Sequence, residues 1–370
     1  MLDAGRHPKI KMLAYSEVEG LSERNGHFEL KVRRKARYVK EDVCNACGMC
    51  VSKCPGRALD AFDMGLRKRT AIYLYFSQGI PAVMTIDPEH CIYFTKGRCR
   101  TCEKVCDKGA IDFDMTDTIE TFTVNAVILA TGLDIFDPSH LTHYGYGRLK
   151  NVITGLQYER LINATGPTGG HLYRPSDGKL AKKVAYVQCV GSRDLNNCGY
   201  CSSVCCMYSI KDAMLAREHD PESVSYIFHT DLRNVGKWFQ KYEQRAREDY
   251  GVNFVRGRVA QIEEDADCNP IVWYEDTRLQ EVKSLKVEMV VLATAAMPAR
   301  GAKELAKLMR VKTDRYGFVL TRPDQPADTS RPGIFACGFC KGPCDIPEAV
   351  SQASAAAQRA AAFVTAGVGI

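Results

Sequence analysis

Four cysteines spaced Cys44-x2-Cys47-x2-Cys50-x3-Cys54 and closed by Pro55, followed by Cys91-x7-Cys99-x2-Cys102-x3-Cys106, are the residues best placed to do chemistry. Three thiolates in a tight loop can cap three irons of one 4Fe-4S cubane, while the fourth, opening a helix, reaches the neighbouring cubane. That logic joins Cys44, Cys47 and Cys50 with Cys106, and Cys91, Cys99 and Cys102 with Cys54. Gly48 relieves crowding inside the first loop, and Pro55 fixes the turn after it. Cys-x2-Cys pairs also suit tetrahedral zinc, but zinc needs neither a cysteine three residues beyond the second pair nor a proline after it.

A second constellation starts at Cys189-Val190-Gly191-Ser192-Arg193-Asp194 and continues through Cys198, Cys201, Cys205 and Cys206. Cys189 leaves an apolar strand-like run and the Cys205-Cys206 pair opens a helix, so these thiols converge at a strand-to-helix crossover, where parallel sheets place ligands. A third 4Fe-4S cluster on Cys189, Cys201, Cys205 and Cys206 is the expected occupant. Adjacent helical side chains diverge, so either a distorted helix start brings both Cys205 and Cys206 in, or Cys198 replaces one. Cys337-x2-Cys340-x3-Cys344 has ligand spacing but no evident fourth thiol, with Cys268 unassigned. Either a fourth cluster or thiols lining a cofactor loop fits it.

The cofactor signal is partial. Val127-Ile128-Leu129-Ala130-Thr131-Gly132 and Gly333-Ile334-Phe335-Ala336-Cys337-Gly338 stand, in order, where two-dinucleotide flavoproteins touch their flavin a second and third time. The first such place, a Gly-x-Gly-x-x-Gly turn whose helix N-terminus holds the pyrophosphate, is absent from these residues.

The elements that must position these groups are readable in outline. Phe28 to Val32 alternates like a half-buried strand. Thr121 to Gly132 reads as a strand pair ending in a buried parallel-type strand, so the cysteine module interrupts a sheet. Residues 145–180, with Gly166-Pro167-Thr168-Gly169-Gly170, read as a connection. Buried strands are expected at Lys183 to Gln188 and Val287 to Thr294, shorter ones at Val252 to Val255 and Ile271 to Glu275, and helices at Lys237 to Asp249 and Pro347 to Thr365.

With 370 residues, 45% hydrophobic and 25% charged, the chain has room for two or three globular domains. Its seventeen cysteines are odd in number and clustered in a long chain with no signal-peptide core, which favours metal ligation over a disulfide scaffold and points to the cytoplasm. No apolar run is long enough to span a bilayer. The formal charge of +6 counts thiols as neutral, whereas each 4Fe-4S cluster with four thiolates carries about −2, so three would bring the total near zero. Nucleic-acid and membrane readings lose their support.

Taken together the chain resembles the central and C-terminal portion of the A-type subunit of heterodisulfide reductase, an iron-sulfur flavoprotein of electron-bifurcating complexes. The resemblance runs through Asp3-Ala4-Gly5-Arg6-His7-Pro8, Tyr93-Phe94-Thr95-Lys96-Gly97, Cys189 to Asp194, Tyr200-Cys201-Ser202, Cys205-Cys206-Met207-Tyr208 and Asp345-Ile346-Pro347-Glu348. It implies an α/β fold: a partial two-dinucleotide-binding, thioredoxin-reductase-like flavoprotein with an inserted α+β two-cluster ferredoxin domain. The expected layout is a FAD-type strand segment at 1–37, the ferredoxin insert at 38–116, FAD-type continuation and linker at 117–180, a degenerate NAD-type domain carrying a further cluster at 181–298, and a FAD-type return at 299–370. It further implies that Ala130, Thr131, Gly132, Gly338 and the helix start at Asp345, Ile346 and Pro347 lie against FAD, and that Lys211 reaches both cluster and flavin.

The family's N-terminal FAD-phosphate half is not among these residues, so a partner polypeptide is expected to supply it, alongside other members of the complex and a hydrogenase or dehydrogenase as electron donor. The favoured function is electron transfer between three 4Fe-4S clusters and flavin within an oxidoreductase complex, including bifurcation. The alternatives are a ferredoxin-like carrier without its own flavin and an NAD(P)H-dependent flavin reductase.

Overall fold

The alternating segment at Phe28 is a strand, His27–Arg34, in the middle of a three-stranded antiparallel sheet between Ser16–Arg24 and Thr118–Val124. The computed structural model describes residues 2–367, which fall into two units, 2–126 and 127–367. In the first, the chain leaves the sheet after Arg34 and returns beside the same strand, with Arg34 opposite Thr118 and Phe28 opposite Val124. All eight cysteines of the ferredoxin-type motif lie in this excursion.

The excursion contains little regular structure: helices of four or five residues at Met49–Lys53, Ile92–Lys96 and Thr101–Lys104, and two short antiparallel ribbons. Its core is correspondingly small. Val39, Ile72, Met84, Ile86 and Phe113 pack with the cysteines Cys50 and Cys102 themselves, and Tyr93 lies 4.2 Å from Phe113 between ring centroids.

The second unit is built on a seven-stranded sheet in the order Val152–Thr154, Met289–Thr294, Lys183–Val190, Val224–His229, Asn253–Glu264, Pro270–Asp276 and Glu281–Lys286. The first five strands run parallel and the last two form an antiparallel meander. Val184, Ala185, Tyr186 and Met289 to Ala293 are all fully buried, as unbroken apolar runs demand when both faces of a parallel sheet are covered. The helix Cys205–His219 makes the crossover from Lys183–Val190 to Val224–His229. A smaller sheet joins Val127–Leu129, parallel, to Ile334–Ala336, followed by the 20-residue helix Ile346–Thr365.

Two features differ from the sequence expectation. Thr121 to Gly132 breaks into strands of different sheets: Asn125 Oδ1 meets His27 Nδ1 at 2.8 Å, and Val127–Leu129 pairs with Ile334–Ala336 instead of its predecessor. The 145–180 connection is also not all loop. Val152–Thr154 is a buried edge strand, and Thr154 caps the helix Gly155–Ile162 in a reciprocal capping box with Gln157. A three-residue strand leaves too short a pattern to stand out from the glycine-rich residues around it.

Candidate iron-sulfur and flavin sites

The short loops of the excursion bring eight thiols to two neighbouring cavities. Cys44, Cys47, Cys50 and Cys106 line one, beside Met84 and Ile111; Cys54, Cys91, Cys99 and Cys102 line the other, beside Ile72 and Ile86. Each set takes three cysteines from one motif and the helix-side cysteine from the other. Gly48, at φ +82°, occupies the left-handed region that the tight first loop requires. Ala46 and Cys99 adopt positive φ without being glycine, a strain that concentrates at ligand-holding loops.

The donor chemistry suits iron. Burial pushes the Cys50 thiol up to about 11, with Cys44, Cys47 and Cys106 adding to the shift. Burial pushes Cys102 up to about 12, with Cys91 and Cys54 adding to it. Four thiols crowded into an apolar cavity ionise together only when cations share their charge. Among the described residues, the one triad of candidate ligand atoms within 4.8 Å of one another is Asp87, Glu89 and His90. Zinc, at about 2.3 Å from each sulfur, would draw thiolates to about 3.8 Å of one another. No three of the cysteine sulfurs among the described residues lie within 4.8 Å of one another.

The third set is mounted differently. Cys189 leaves the Lys183–Val190 strand at φ +61°, and the next turn places Gly191 where a Cβ would meet the Phe136 ring at 2.4 Å, so only glycine fits. Cys205 and Cys206 open the crossover helix, both buried. The Cys205 thiol bonds to Cys206, holding Cys205 high and Cys206 low, and Cys189 and Cys201 both act on Cys205. Backbone N–H groups already reach two of these sulfurs: Ser203 to Cys201 at 3.4 Å and Arg233 to Cys206 at 3.5 Å. Such bonds stabilise thiolate charge and tune cluster potential. Cys198 stands apart, packed against Phe136 and Ala295.

On the other side of the helix start lies a groove of about 780 Å³. Ala130, Gly132, Gly338, Asp345, Ile346, Pro347 and Lys211 all line it, together with Met207 and Tyr208. Thr131 sits in the same turn without lining it, its N–H directed to Cys340. Asp345 caps the Ile346–Thr365 helix by accepting from Glu348 N–H at 2.8 Å, so the positive end of a long helix faces the groove. An open apolar groove with one lysine and a helix N-terminus fits a planar ring that gains negative charge on reduction.

Lys211 is held by Glu159 and by Asp212, whose carboxyl lies 2.9 Å away. Burial alone would lower the Lys211 ammonium, but the two acids outweigh it and raise it. Burial lifts the Asp212 carboxyl to about 7. Sequence reasoning missed Asp212 and Glu159; the only local signal was an acid next to Lys211 inside a helix. Cys337 and Cys344 line the groove, and Cys340 donates to the Leu129 and Cys337 carbonyls, each at 3.2 Å. Cys268 belongs to a turn between strands and does not join them.

Two known family models match parts of this sequence. The family model for a 4Fe-4S dicluster domain matches residues 43–110, and that for pyridine nucleotide-disulphide oxidoreductase matches residues 199–360. The fold is thus α/β, of the two-dinucleotide-binding flavoprotein type, with a two-cluster ferredoxin domain in the same chain. A thioredoxin reductase of Lactococcus lactis aligns with 80% of this chain and 86% of its own at 18% identity and a TM-score of 0.43, a distant likeness.

Closer in sequence is the second A-type iron-sulfur subunit of CoB–CoM heterodisulfide reductase from Methanopyrus kandleri, 46% identical over 371 residues, which cover 99% of this chain and 56% of that protein. The corresponding iron-sulfur subunit of Methanocaldococcus jannaschii is 42% identical, covering 96% and 54%. The A-type subunit of the H2:CoB–CoM heterodisulfide, ferredoxin reductase of Methanothermobacter thermautotrophicus is 40% identical, covering 98% and 54%. The chain spans about half the length of the curated relatives it matches, and on this likeness it belongs to the family of A-type heterodisulfide reductase subunits.

Proposed function

We propose that this chain is the electron-transfer core of a heterodisulfide-reductase-like oxidoreductase complex, holding three 4Fe-4S clusters and one face of FAD. The observation that carries this reading is one helix. Cys205 and Cys206 stand at its start, and Met207, Tyr208 and Lys211, all within its first two turns, line the groove. At 1.5 Å rise per residue, Lys211 lies about 9 Å along the axis from Cys205. Bound there, the two groups would join one-electron iron-sulfur chemistry to the two-electron chemistry of a flavin.

In this reading the twelve ligands are Cys44, Cys47, Cys50 and Cys106; Cys54, Cys91, Cys99 and Cys102; and Cys189, Cys201, Cys205 and Cys206. Lys211 keeps a positive charge at the groove wall, held by Asp212 and Glu159. Tyr208, half-buried, lines the groove close to Cys205, Cys206 and Asp212. The 370 residues contain no Gly-x-Gly-x-x-Gly turn, so the pyrophosphate half of FAD falls to a polypeptide outside them. The other members of the complex and an electron donor such as a hydrogenase or dehydrogenase complete it, and unpaired thiols suit the reducing cytoplasm.

The test is composition. Three ligand sets require about twelve irons and twelve acid-labile sulfides per anaerobically purified chain. Acid-released flavin should be near zero in the chain alone and stoichiometric once the polypeptide supplying the phosphate site is co-purified. Eight irons or fewer would remove the third set. Full FAD in the chain alone would remove the shared site, and none in the complex would favour a ferredoxin-like carrier.

A further inference from the structure

A cavity of about 530 Å³ opens at the carboxyl ends of the parallel strands Lys183–Val190 and Val224–His229, and no residue of the flavin groove lines it. Of the third thiol set only Cys189 reaches it. Among its lining residues is Gln188, 7% exposed, whose amide nitrogen and oxygen both lack a hydrogen-bond partner among the described residues. Buried amides are almost always paired, so a primary amide unpaired at both ends marks a place where something else completes it.

The charges around it are unevenly used. Arg193 is tied to Asp231, and the Asp194 carboxylate already accepts from the Asn196 N–H and the Asn197 amide. Arg258, on the neighbouring strand Asn253–Glu264, has no ion-pair partner within 4.0 Å among the described residues, and its charge lowers both His143 and Asp194. Burial, together with Arg258, holds His143 below its ordinary value, which leaves it neutral near pH 7. Val187, Phe228 and Val259 supply the apolar walls. The cavity therefore combines a free guanidinium, an in-plane donor and acceptor pair, and a surface for a ring. Its volume is that of a small-molecule site.

We propose that this cavity binds a mononucleotide, with the base edge on Gln188, the ring against Phe228 and Val187, and the phosphate at Arg258. A dinucleotide is disfavoured because its pyrophosphate needs a helix N-terminus directly after the strand, and the next helix opens with Cys205 and Cys206. Since Cys189 lines the same cavity, occupancy is felt at the third thiol set, a consequence that rests on the cluster assignment above.

The probes are AMP, GMP, CMP and UMP, titrated calorimetrically into the anaerobically purified chain, with the matching nucleosides and inorganic phosphate as separate arms. At least one mononucleotide should bind with Kd below about 1 mM, and its nucleoside and phosphate should each bind at least about tenfold more weakly. Arg258→Ala, at an exposed side chain, should weaken that binding about tenfold or more with iron content unchanged, as should Gln188→Leu. The same nucleotide should shift the electron paramagnetic resonance signal that Cys206→Ala abolishes. No binding by any of the four, phosphate binding as tightly as the nucleotide, or affinity unchanged in Arg258→Ala would overturn the proposal. Each of those results leaves the iron and flavin counts untouched, so failure here is distinguishable from failure of the cluster reading.

Discussion

The thiols of residues 43–110 and those at the Cys189 crossover, both cluster ligands in the proposed reading, stand on opposite kinds of scaffold. In the first region, helices of four or five residues and two-strand ribbons surround a core that includes Cys50 and Cys102 themselves. In the second, Cys189 stands next to the end of a largely buried strand, and Cys205 and Cys206 open a 15-residue helix that packs on a seven-stranded sheet. Where ligands are the core, metal binding and folding are one event; where ligands hang from a finished sheet, the metal is an addition. Two regions of one chain should then respond oppositely to losing iron.

The largest expected effect follows directly. Cys102→Ala should cost about four irons or more, and hydrogen exchange should lose its protection across residues 38–116, because the buried thiol leaves both the cluster and the small core. Cys206→Ala should also cost about four irons, yet protection in Lys183–Val190 and Met289–Thr294 should persist. Equal collapse of both regions in both variants would break the contrast. A smaller effect sharpens it: because Cys106 shares a cavity with Cys44, Cys47 and Cys50, Cys106→Ala should alter the spectrum of that set. A change confined to the Cys99 and Cys102 set would mean that each motif closes on itself.

Cys198 separates the readings within the second region. It packs with Phe136 and Ala295, so Cys198→Ala should leave the iron count at about twelve and cost on the order of 1 kcal/mol of stability from lost packing. Loss of iron in that variant would return it to the ligand set in place of Cys205 or Cys206. The sequence left that choice open for a physical reason: the positive φ at Cys189 and Ser203 bends the connection, and spacing carries no information on the bend.

Elsewhere legibility follows the range of the interaction. The interleaved cysteine spacing, the two buried strands and the capped helix at Asp345 are local patterns, and the structure has elements at each of those places. Glu159 meets Lys211 and its neighbour Asp212 only because Gly155–Ile162 packs beside Cys205–His219, and the first of those helices lies inside residues read as a connection. The unpaired amide of Gln188 and the free guanidinium of Arg258 likewise come together through parallel strand order, which no window of sequence displays.

The last expected effect is a pH dependence seated in the second region. Asp212 is 1% exposed, and burial lifts its carboxyl from 3.8 to about 7 despite Lys211 beside it. The folded chain therefore holds this proton more tightly than the unfolded chain does. Its contribution to stability is fully present below about pH 4 and is lost as pH rises through about 7, at no more than about 1.4 kcal/mol per pH unit. Asp212→Asn keeps the shape and cannot ionise, so the urea midpoint of the sheet region, followed by hydrogen exchange of Lys183–Val190, should fall less between pH 4 and 7 than in the parent. Lys211→Met should extend the fall to higher pH, since removing the cation raises the carboxyl further. Identical slopes in the parent and Asp212→Asn would mean that Asp212 is ionised throughout, and that Lys211 faces the groove with its charge already neutralised by the acid beside it.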